Sequence, residues 1–339
     1  MTQKQDTITL LAIESSCDDT AAAVIRNRKI LANIVSSQEI HKQYGGVIPE
    51  LAGRAHQQNI LRVTGTALEK AGITLGDIDG IAYTKGPGLM GSLLVGSQFA
   101  KGLSMALDKP LIGIDHLQAH VAAHYLGDKQ PSFPFLNLLV SGGHTQIIKV
   151  TAPLEMEIIG STTDDAAGEA FDKSAKMLGL PYPGGPLVDK YAEEGDPLAF
   201  TFPVARMNGY DFSFSGLKTS LLYFLQKQVR IDPDFIKKRM NDICASMRFT
   251  IVKTLLNNLE RAARDHGIKE IGIAGGVSAN RLLRSELRRL GMENNWNTYI
   301  PAFEYCTDNA AMIAIAAHYE YEAGHFSSLS EVPFARGNH

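Results

Sequence analysis

Two histidines that are four residues apart, His116 and His120, stand in the segment LIGIDHLQAHVAAHYL at residues 111–126. In a helix, side chains at positions i and i+4 lie on one face, close enough to share a single metal ion. A zinc peptidase helix carries a glutamate directly after its first histidine as the base that activates water, but Leu117 occupies that position here. The spacing therefore indicates a metal site that lacks the hydrolytic base of a peptidase; the alternative is a helix whose histidines cover a polar rim.

A third metal ligand has to come from another part of the chain, because two histidines leave coordination positions open. Asp308, at the start of the predicted helix CTDNAAMIAIAAHYEY, is a candidate. The alternative for Asp308 is an N-cap, in which its carboxylate accepts a hydrogen bond from the first turn of that helix. His124 is in phase with the histidine pair, but it follows an apolar turn and is predicted to pack in the core.

Glycine turns after predicted strands form a second group of candidate sites. The segment KGPGLMG, residues 85–91, has the G-x-G-x-x-G spacing of dinucleotide-binding folds, but Pro87 removes one backbone donor, which favours a simple tight turn. SGGHT, residues 141–145, and AGGVSANRLL, residues 274–283, place paired glycines at strand ends, where backbone N–H groups bind anions and nucleosides. For both segments the alternative is a turn that needs glycine for steric reasons alone.

The composition limits the class of protein. The 339 residues are 45% hydrophobic and 20% charged, which is ordinary for a soluble globular protein large enough for two lobes. Three scattered cysteines are too few for a disulfide framework, and no segment has the length and apolarity of a membrane span. We therefore expect a cytoplasmic α/β protein that is not attached to a membrane.

The net charge does not by itself indicate a nucleic-acid partner, because the formal value is -3. A chain of this charge would bind RNA through a local basic patch or with the help of a partner subunit. Arg281, Arg284 and Arg288 recur at helical spacing and are one candidate for such a patch. The alternative for these three arginines is a solvated helix face.

Apolar runs and amphipathic segments predict the elements that position these side chains. Residues 10–25 and 136–150 each contain an apolar strand, a turn of small residues and a second strand, which is a weak internal repeat. Residues 36–58 are predicted as a loop, leading into an amphipathic helix that ends at Gly72. The segment PYPGGPLVDK, residues 181–190, is predicted as a turn.

The order of these motifs along the chain resembles that of the TsaD family, also called Gcp or YgjD. The resemblance covers about residues 8–325, and two small departures are SCDDT, where the family often has SCDET, and Asp115, where a histidine often precedes the ligand pair. The motifs that carry the resemblance are IESSCDDTAAAVI, YGGVIPELAGRAH, KGPGLMGSLLVG, HLQAH, LLVSGGHTQ, DDAAGEAFDKSAKMLGLPYPGGP, DFSFSGLKT, AGGVSANRLL and CTDNAAMIA.

The resemblance implies an α/β fold of the actin-like, sugar-kinase-like ATPase class (ASKHA), with two lobes around a nucleotide cleft. It implies an N-terminal lobe at residues 1–133 that carries the metal-binding helix, and a C-terminal lobe at residues 134–308. A C-terminal helix at about residues 309–330 is expected to pack back on the first lobe. The implied activity is transfer of the threonylcarbamoyl group from threonylcarbamoyl-AMP to N6 of adenosine 37 in tRNAs that read codons beginning with A, with release of AMP.

The resemblance also implies the residues of the site. The metal ligands fall on His116, His120 and Asp308, and the ion is iron or zinc. No residue is assigned as a general base. The residues that would bind the adenylate intermediate or an ATP-type nucleotide in the cleft are Leu139, Val140, Ser141, Gly142, Gly143, Asp172, Gly185, Asp189 and Asn280.

The implied partners are tRNA, threonylcarbamoyl-AMP, and TsaB-like and TsaE-like proteins. Three other functions are alternatives to this one. An ATPase of the same fold would transfer a carbamoyl or phosphoryl group to a small molecule, and a scaffold would bind a nucleotide without turnover. A metallopeptidase is disfavoured by Leu117.

Overall fold

The structure is a computed structural model that describes residues 7–205 and 207–336. These residues form two compact units, one made of residues 7–130 and 302–336 and the other of the described residues within Pro131–Pro301. Residues 1–6, for which the sequence predicts no role, lie outside the described part of the chain.

Ten strands and ten α-helices make up the regular structure of the described residues. The strands are β1 (Thr9–Glu14), β2 (Asp19–Arg26), β3 (Lys29–Ser37), β4 (Gly80–Gly86), β5 (Leu111–Asp115), β6 (Phe135–Val140), β7 (Thr145–Ala152), β8 (Glu155–Ser161), β9 (Glu270–Ala274) and β10 (Asn297–Tyr299). The helices are α1 (Pro49–Ala71), α2 (Met90–Leu107), α3 (His116–Ala122), α4 (Ala167–Met177), α5 (Gly184–Tyr191), α6 (Ser215–Ile231), α7 (Phe235–Lys238), α8 (Met240–His266), α9 (Arg281–Asn294) and α10 (Ala310–Glu322).

Each unit contains a five-stranded mixed sheet, and the two sheets have the same arrangement. The strand order is β3-β2-β1-β4-β5 in the first and β10-β9-β6-β7-β8 in the second. The central strand of each sheet pairs antiparallel with the following strand of the chain, β1 with β2 and β6 with β7. On its other side the central strand pairs parallel with a strand that is reached by a crossover, β1 with β4 and β6 with β9. The repeated strand–turn–strand pattern of the sequence therefore corresponds to two equivalent hairpins.

The central strands and the last helix are mostly apolar, which fits their position in the core, where other elements cover them on all sides. All six residues of β1, TLLAIE, are buried, as expected for a strand with helices over both faces of its sheet. The helix α10 packs against β1, β2 and α3, and its residues 310–318 are all buried. Burial around the whole helix explains why its sequence has no polar stripe.

Two predicted elements differ from the structure. The helix α1 begins at Pro49, inside the predicted loop at residues 36–58, because a proline is well accommodated in the first helical turn, where its missing N–H is not needed. The segment 181–190, predicted as a turn, contains most of α5, which begins at Gly184. Glycine and proline in its first turn hide this short helix from a pattern-based prediction.

Candidate functional site

The histidine pair is positioned by a helix that starts directly at the end of β5. Asp115, the last residue of β5, caps α3 by accepting hydrogen bonds from the backbone N–H groups of Leu117 at 2.9 Å and Gln118 at 3.0 Å. His116 and His120 follow on one face of this short helix, and both are buried, at 8% and 1% exposure. Asp115 therefore fixes the start of the histidine helix.

Asp308 lies beside the histidines and does not cap α10. The N-cap of α10 is Asn309, whose side-chain oxygen accepts a hydrogen bond from the backbone N–H of Met312 at 3.0 Å. The Oδ1 atom of Asp308 lies 3.2 Å from Nε2 of His120 and 3.5 Å from Nε2 of His116. The alternative in which Asp308 is an N-cap is therefore wrong.

These three side chains form a group that could hold a metal ion. One ligand atom from each of His116, His120 and Asp308 lies within 4.8 Å of the other two. Two imidazole nitrogens and a carboxylate oxygen are a donor set that suits zinc or iron(II). The residues present therefore fit a divalent transition metal, and this part of the first unit is a candidate metal centre.

A fourth side chain at this centre, Glu14, was not singled out by the sequence analysis. Its Oε2 atom lies 3.2 Å from Nδ1 of His116, and the side chain is fully buried at the end of β1. Oε2 also accepts a hydrogen bond from the Thr84 hydroxyl at 2.5 Å, and Oε1 accepts one from the backbone N–H of Ser16. The sequence did contain a signal for Glu14, because it is an acidic residue at the end of a mostly apolar strand. A carboxylate that is buried there needs a partner.

The charged side chains at the centre shift one another's pKa values. Burial by itself would lower the pKa of His116, but the carboxylates of Asp308 and Glu14 outweigh burial and raise that pKa well above its usual value. Burial opposes ionisation of Asp308 and Glu14, yet the charge of His116 lowers the pKa of both carboxyl groups. Burial lowers the pKa of His120, so its ring favours the neutral form. The two carboxylates thus favour a positive charge at this position, which a metal cation also provides.

In the second unit, Asp172 is held against the start of α5. Its Oδ1 atom accepts hydrogen bonds from the backbone N–H groups of Gly184 at 2.8 Å and Gly185 at 3.1 Å. Burial raises the pKa of the Asp172 carboxyl, and these two hydrogen bonds partly oppose that shift. Two of the predicted substrate-binding residues, Asp172 and Gly185, are therefore in direct contact.

Asp189 and Asn280 are brought together by the first turn of α9. Oδ2 of Asp189 accepts a hydrogen bond from the backbone N–H of Arg281 at 3.4 Å, while Asn280 caps α9 by accepting from the N–H of Leu283 at 3.0 Å. The buried Arg248 donates through Nη1 to Oδ1 of Asp189 at 2.8 Å. Arg248 was not considered in the sequence analysis. It holds the carboxylate of Asp189, which is one of the predicted substrate-binding residues.

The remaining predicted residues form the end of β6 and the turn that follows. Leu139 and Val140 are fully buried at the end of β6, where Leu139 lies in register with Gln146 of β7 and Ala274 of β9. The turn is closed by a hydrogen bond from Ser141 N–H to the carbonyl of His144 at 2.8 Å, and the carbonyl of Ser141 accepts from Gly168 at the start of α4 at 3.2 Å. The predicted residues at 139–143 are thereby connected to the helix that carries Asp172.

The glycines near this turn fall into two kinds. Gly275 has φ of +85°, and a Cβ there would lie 2.5 Å from the carbonyl oxygen of Val140, so that close backbone contact alone requires glycine. At Gly142 and Gly143 a Cβ would meet no atom within 4 Å, and at Gly185 it would meet only an ordinary contact at 3.8 Å. The packing of the described residues therefore does not explain glycine at 142, 143 or 185.

One arginine of the predicted basic patch has a structural role. Arg284 is buried and donates to the carbonyl oxygens of Ser278 at 3.2 Å and Pro301 at 2.9 Å. It therefore belongs neither to a solvated face nor to a phosphate-binding surface. Arg281, by contrast, has an exposed side chain that pairs with Glu193 at 3.5 Å.

The sequence predicts no membrane-spanning segment, and the helices of the structure can be compared with that prediction. None of the helices in the described part of the chain combines sufficient length with sufficient apolarity to cross a bilayer.

Two solved structures share the fold of this chain. HypF in its phosphate- and nucleotide-bound form aligns with a TM-score of 0.61 at 14% identity, covering 94% of this chain and 47% of HypF. Component A of (R)-2-hydroxyglutaryl-CoA dehydratase from Acidaminococcus fermentans aligns with a TM-score of 0.54 at 14% identity, covering 93% of this chain and 99% of that protein. The chain thus has the α/β fold of the actin-like, sugar-kinase-like ATPases, as predicted.

Sequence comparison identifies the family. Residues 29–315 match the family model described as "TsaD: tRNA N6-adenosine threonylcarbamoyltransferase". Relatives with this enzyme name are 57% identical over 326 residues in Christiangramia forsetii, covering 95% of this chain and 96% of the relative, and 55% identical over 338 residues in Porphyromonas gingivalis, covering 98% and 99%. The chain therefore belongs to the family of tRNA N6-adenosine threonylcarbamoyltransferases, acyltransferases that modify N6 of an adenosine in tRNA.

Proposed function

We propose that this enzyme performs the family's transfer with a divalent iron or zinc ion held by His116, His120 and Asp308. The donor is threonylcarbamoyl-AMP, and the acceptor is N6 of adenosine 37 in tRNAs that read codons beginning with A. The observation that carries the proposal is the convergence of the three ligand atoms within 4.8 Å of one another in the first unit. When bound, the ion supplies Lewis acidity and a fixed positive charge for oxygen atoms of the threonyl moiety.

The second unit supplies the groups that would bind the adenylate. Gly142 and Gly143 would offer backbone N–H groups, and Ser141 its hydroxyl, to the phosphate and the carbamoyl carbonyl, and the open space at the two glycines supports this assignment. Gly185, Asp189 and Asn280 would hold the AMP portion, and their connection through α5 and the start of α9 supports a common site. Asp172 fixes the start of α5 in this arrangement.

The chemistry that follows needs little covalent help from the protein. The N6 amine attacks the carbonyl carbon of the mixed anhydride, a C–N bond forms, the C–O bond to AMP breaks and the amine loses a proton. Because the anhydride is already activated, positioning of donor and acceptor is the main contribution that we assign to the chain. We assign no side chain as the general base.

Hydrolysis of peptides finds no support at this centre. Leu117, at the position of the peptidase glutamate, is an apolar side chain that is 7% exposed. A small-molecule ATPase likewise finds no support in the structural neighbours, because at 14% identity they show only the fold.

TsaB-like and TsaE-like proteins are the proposed partners. The formal net charge of -3 supports a need for additional positive charge when tRNA binds. Binding of unmodified tRNA should be measured with the isolated chain and after addition of the partners. Tight binding by the isolated chain would contradict this part of the proposal.

The central test replaces His116 and His120 by alanine, singly and together. Each variant is assayed for transfer from purified threonylcarbamoyl-AMP to unmodified tRNA in the presence of the partner proteins, with the modified nucleoside detected by mass spectrometry. We expect loss of transfer in each histidine variant. His325→Ala is the matched control because His325 has an exposed side chain that pairs with Glu320. Wild-type turnover in the metal-free double variant would exclude the proposed function of the centre.

A further inference from the structure

Glu14 is a buried carboxylate to which the proposed transfer gives no role. It is 0% exposed, and both of its oxygen atoms accept hydrogen bonds. Oε1 accepts from the backbone N–H of Ser16, whereas Oε2 faces both the Thr84 hydroxyl and Nδ1 of His116. A group buried in this way is held in one orientation, because rotation would break hydrogen bonds that water cannot replace.

The two ring nitrogens of His116 face different carboxylates. Nε2 lies 3.5 Å from Oδ1 of Asp308, and Nδ1 lies 3.2 Å from Oε2 of Glu14. A neutral imidazole that binds a metal through Nε2 must carry its hydrogen on Nδ1. A carboxylate only accepts hydrogen bonds, so Glu14 favours the required tautomer.

The second histidine of the pair lacks this support. Among the described residues, no hydrogen-bond partner contacts Nδ1 of His120, although that atom is buried. Of the two imidazole rings, only that of His116 therefore has a carboxylate from the described part of the chain, Glu14, in contact with its Nδ1 atom.

From this arrangement we infer that Glu14 is a positioning residue of the metal centre, which holds the ring of His116 so that its Nε2 lone pair faces Asp308. The inference rests on the metal site that we propose above. Carboxylates that accept a hydrogen bond from a ligating histidine orient the ring and increase its basicity, and their loss typically weakens metal binding by about 10–100-fold. The Ser16 hydroxyl lies 3.3 Å from the same Nδ1 and is the competing candidate for this role.

Glu14→Gln is the sharpest test because the two side chains have the same shape. If the amide oxygen takes the place of Oε1, it still accepts from Ser16 N–H, but the NH2 group then faces His116 and favours a hydrogen on Nε2 instead of Nδ1. If the amide is rotated by half a turn, its NH2 group faces the backbone N–H of Ser16, and two donors then oppose each other. Either orientation disturbs an arrangement that the carboxylate satisfies completely.

The dissociation constant for Zn2+ should be measured by competition with a chromogenic chelator. We expect an increase of about 10–100-fold for Glu14→Gln. Ser16→Ala and Thr84→Val are matched controls that alter the same hydrogen-bond network but keep the contact between Glu14 and His116, and we expect them to stay within about threefold of wild type. Larger weakening by Ser16→Ala than by Glu14→Gln would overturn the inference in favour of the hydroxyl.

A second readout separates positioning from structural support. In the Zn2+-loaded wild-type protein, long-range proton–nitrogen NMR should show a slowly exchanging hydrogen on Nδ1 of His116, and Glu14→Gln should abolish that signal. If Glu14→Gln does not fold, Glu14→Asp retains the charge but withdraws it by one methylene group, and we expect the same direction of change.

The outcomes separate this inference from the proposed function. Wild-type protein that binds no Zn2+ would contradict the metal site itself. Wild-type binding of Zn2+ with an unchanged dissociation constant in both the Gln and the Asp variants would overturn the role of Glu14 and leave the metal site intact.

Discussion

The Oδ1 atom of Asp308 lies 3.2 Å from Nε2 of His120, although 188 residues separate them in the sequence. The residue that follows, Asn309, caps α10. Neighbouring polar residues thus have separate positions, one at the candidate metal centre and one at the start of a helix.

This separation predicts opposite effects for two adjacent substitutions. We expect Asp308→Asn to weaken Zn2+ binding by more than about 100-fold, because a ligand is lost rather than an outer contact. Asn309→Ala should lower the free energy of unfolding by about 1 kcal/mol through loss of the cap, while Zn2+ affinity stays within about threefold. Chelator competition and urea unfolding of both variants measure the two effects, and equal loss of metal binding would refute the assignment.

Arg248 should support nucleotide binding through Asp189. Its guanidinium donates to the carboxylates of Asp189 and Glu193, each at 2.8 Å, so Arg248→Ala leaves both without this partner. We expect AMP affinity to fall about tenfold, which corresponds to one hydrogen bond to a charged group. Arg289→Ala is the control, since Arg289 pairs with Glu286 and Glu293 on an exposed helix face. Calorimetric titration with AMP would contradict the prediction if both variants bound equally well.

The two kinds of glycine should respond differently to a methyl group. Gly142→Ala meets no atom within 4 Å, so we expect the free energy of unfolding to change by less than about 0.5 kcal/mol while AMP or adenylate binding weakens. Gly275→Ala should instead destabilise the protein by more than about 1 kcal/mol, because of its positive φ and its contact with the Val140 carbonyl. Wild-type nucleotide affinity in Gly142→Ala would argue against a ligand beside this turn.

Binding of the ion should stabilise the folded protein. At a free Zn2+ concentration about 100 times the dissociation constant, the gain in unfolding free energy is about 2.7 kcal/mol. We expect the melting temperature to fall on treatment with a chelator and to recover when Zn2+ or Fe2+ is added back. His120→Ala should show no such metal-dependent shift, and a shift of wild-type size in that variant would place the ion elsewhere.

Asp165, just before α4, predicts a pH dependence of stability. Its carboxylate accepts from Lys173 at 2.7 Å and Lys218 at 3.3 Å; burial raises its pKa, but these lysines outweigh burial and lower it overall. A depressed pKa stabilises the fold above the unfolded value near 4, and this contribution is lost as the pH falls through the lower, folded value. We expect Asp165→Asn to cost on the order of 1 kcal/mol at pH 7, with a smaller difference near pH 3, by urea unfolding. A difference that does not depend on pH would refute this explanation.

Local geometry explains which parts of the site could be predicted. The spacing of His116 and His120 was informative because both lie within one helix, where sequence distance fixes spatial distance. Asp308 entered with two alternative roles, metal ligand or N-cap, and the family resemblance favoured the first, since nothing local connects it with residue 120. Glu14 was missed because its partner is contributed by a different strand–helix junction.

The errors have a similar cause. Arg284 has the spacing of an exposed basic face, yet the backbone carbonyls of Ser278 and Pro301 give it a buried position that no helical pattern encodes. The helix α5 was predicted as a turn because Gly184 and Gly185 are typical turn residues. In the structure their N–H groups instead bind Asp172, a tertiary contact that compensates for their low helix propensity.

The first unit takes residues from both ends of the chain, which has a consequence for biosynthesis. A ribosome completes His116 and His120 before it makes any of Pro131–Pro301, and Asp308 follows that whole segment. The nascent chain therefore carries an incomplete ligand set, and a first sheet without α10, throughout synthesis of the second unit. The proposed ion can therefore meet all three of its ligands only after the whole second unit has been synthesised.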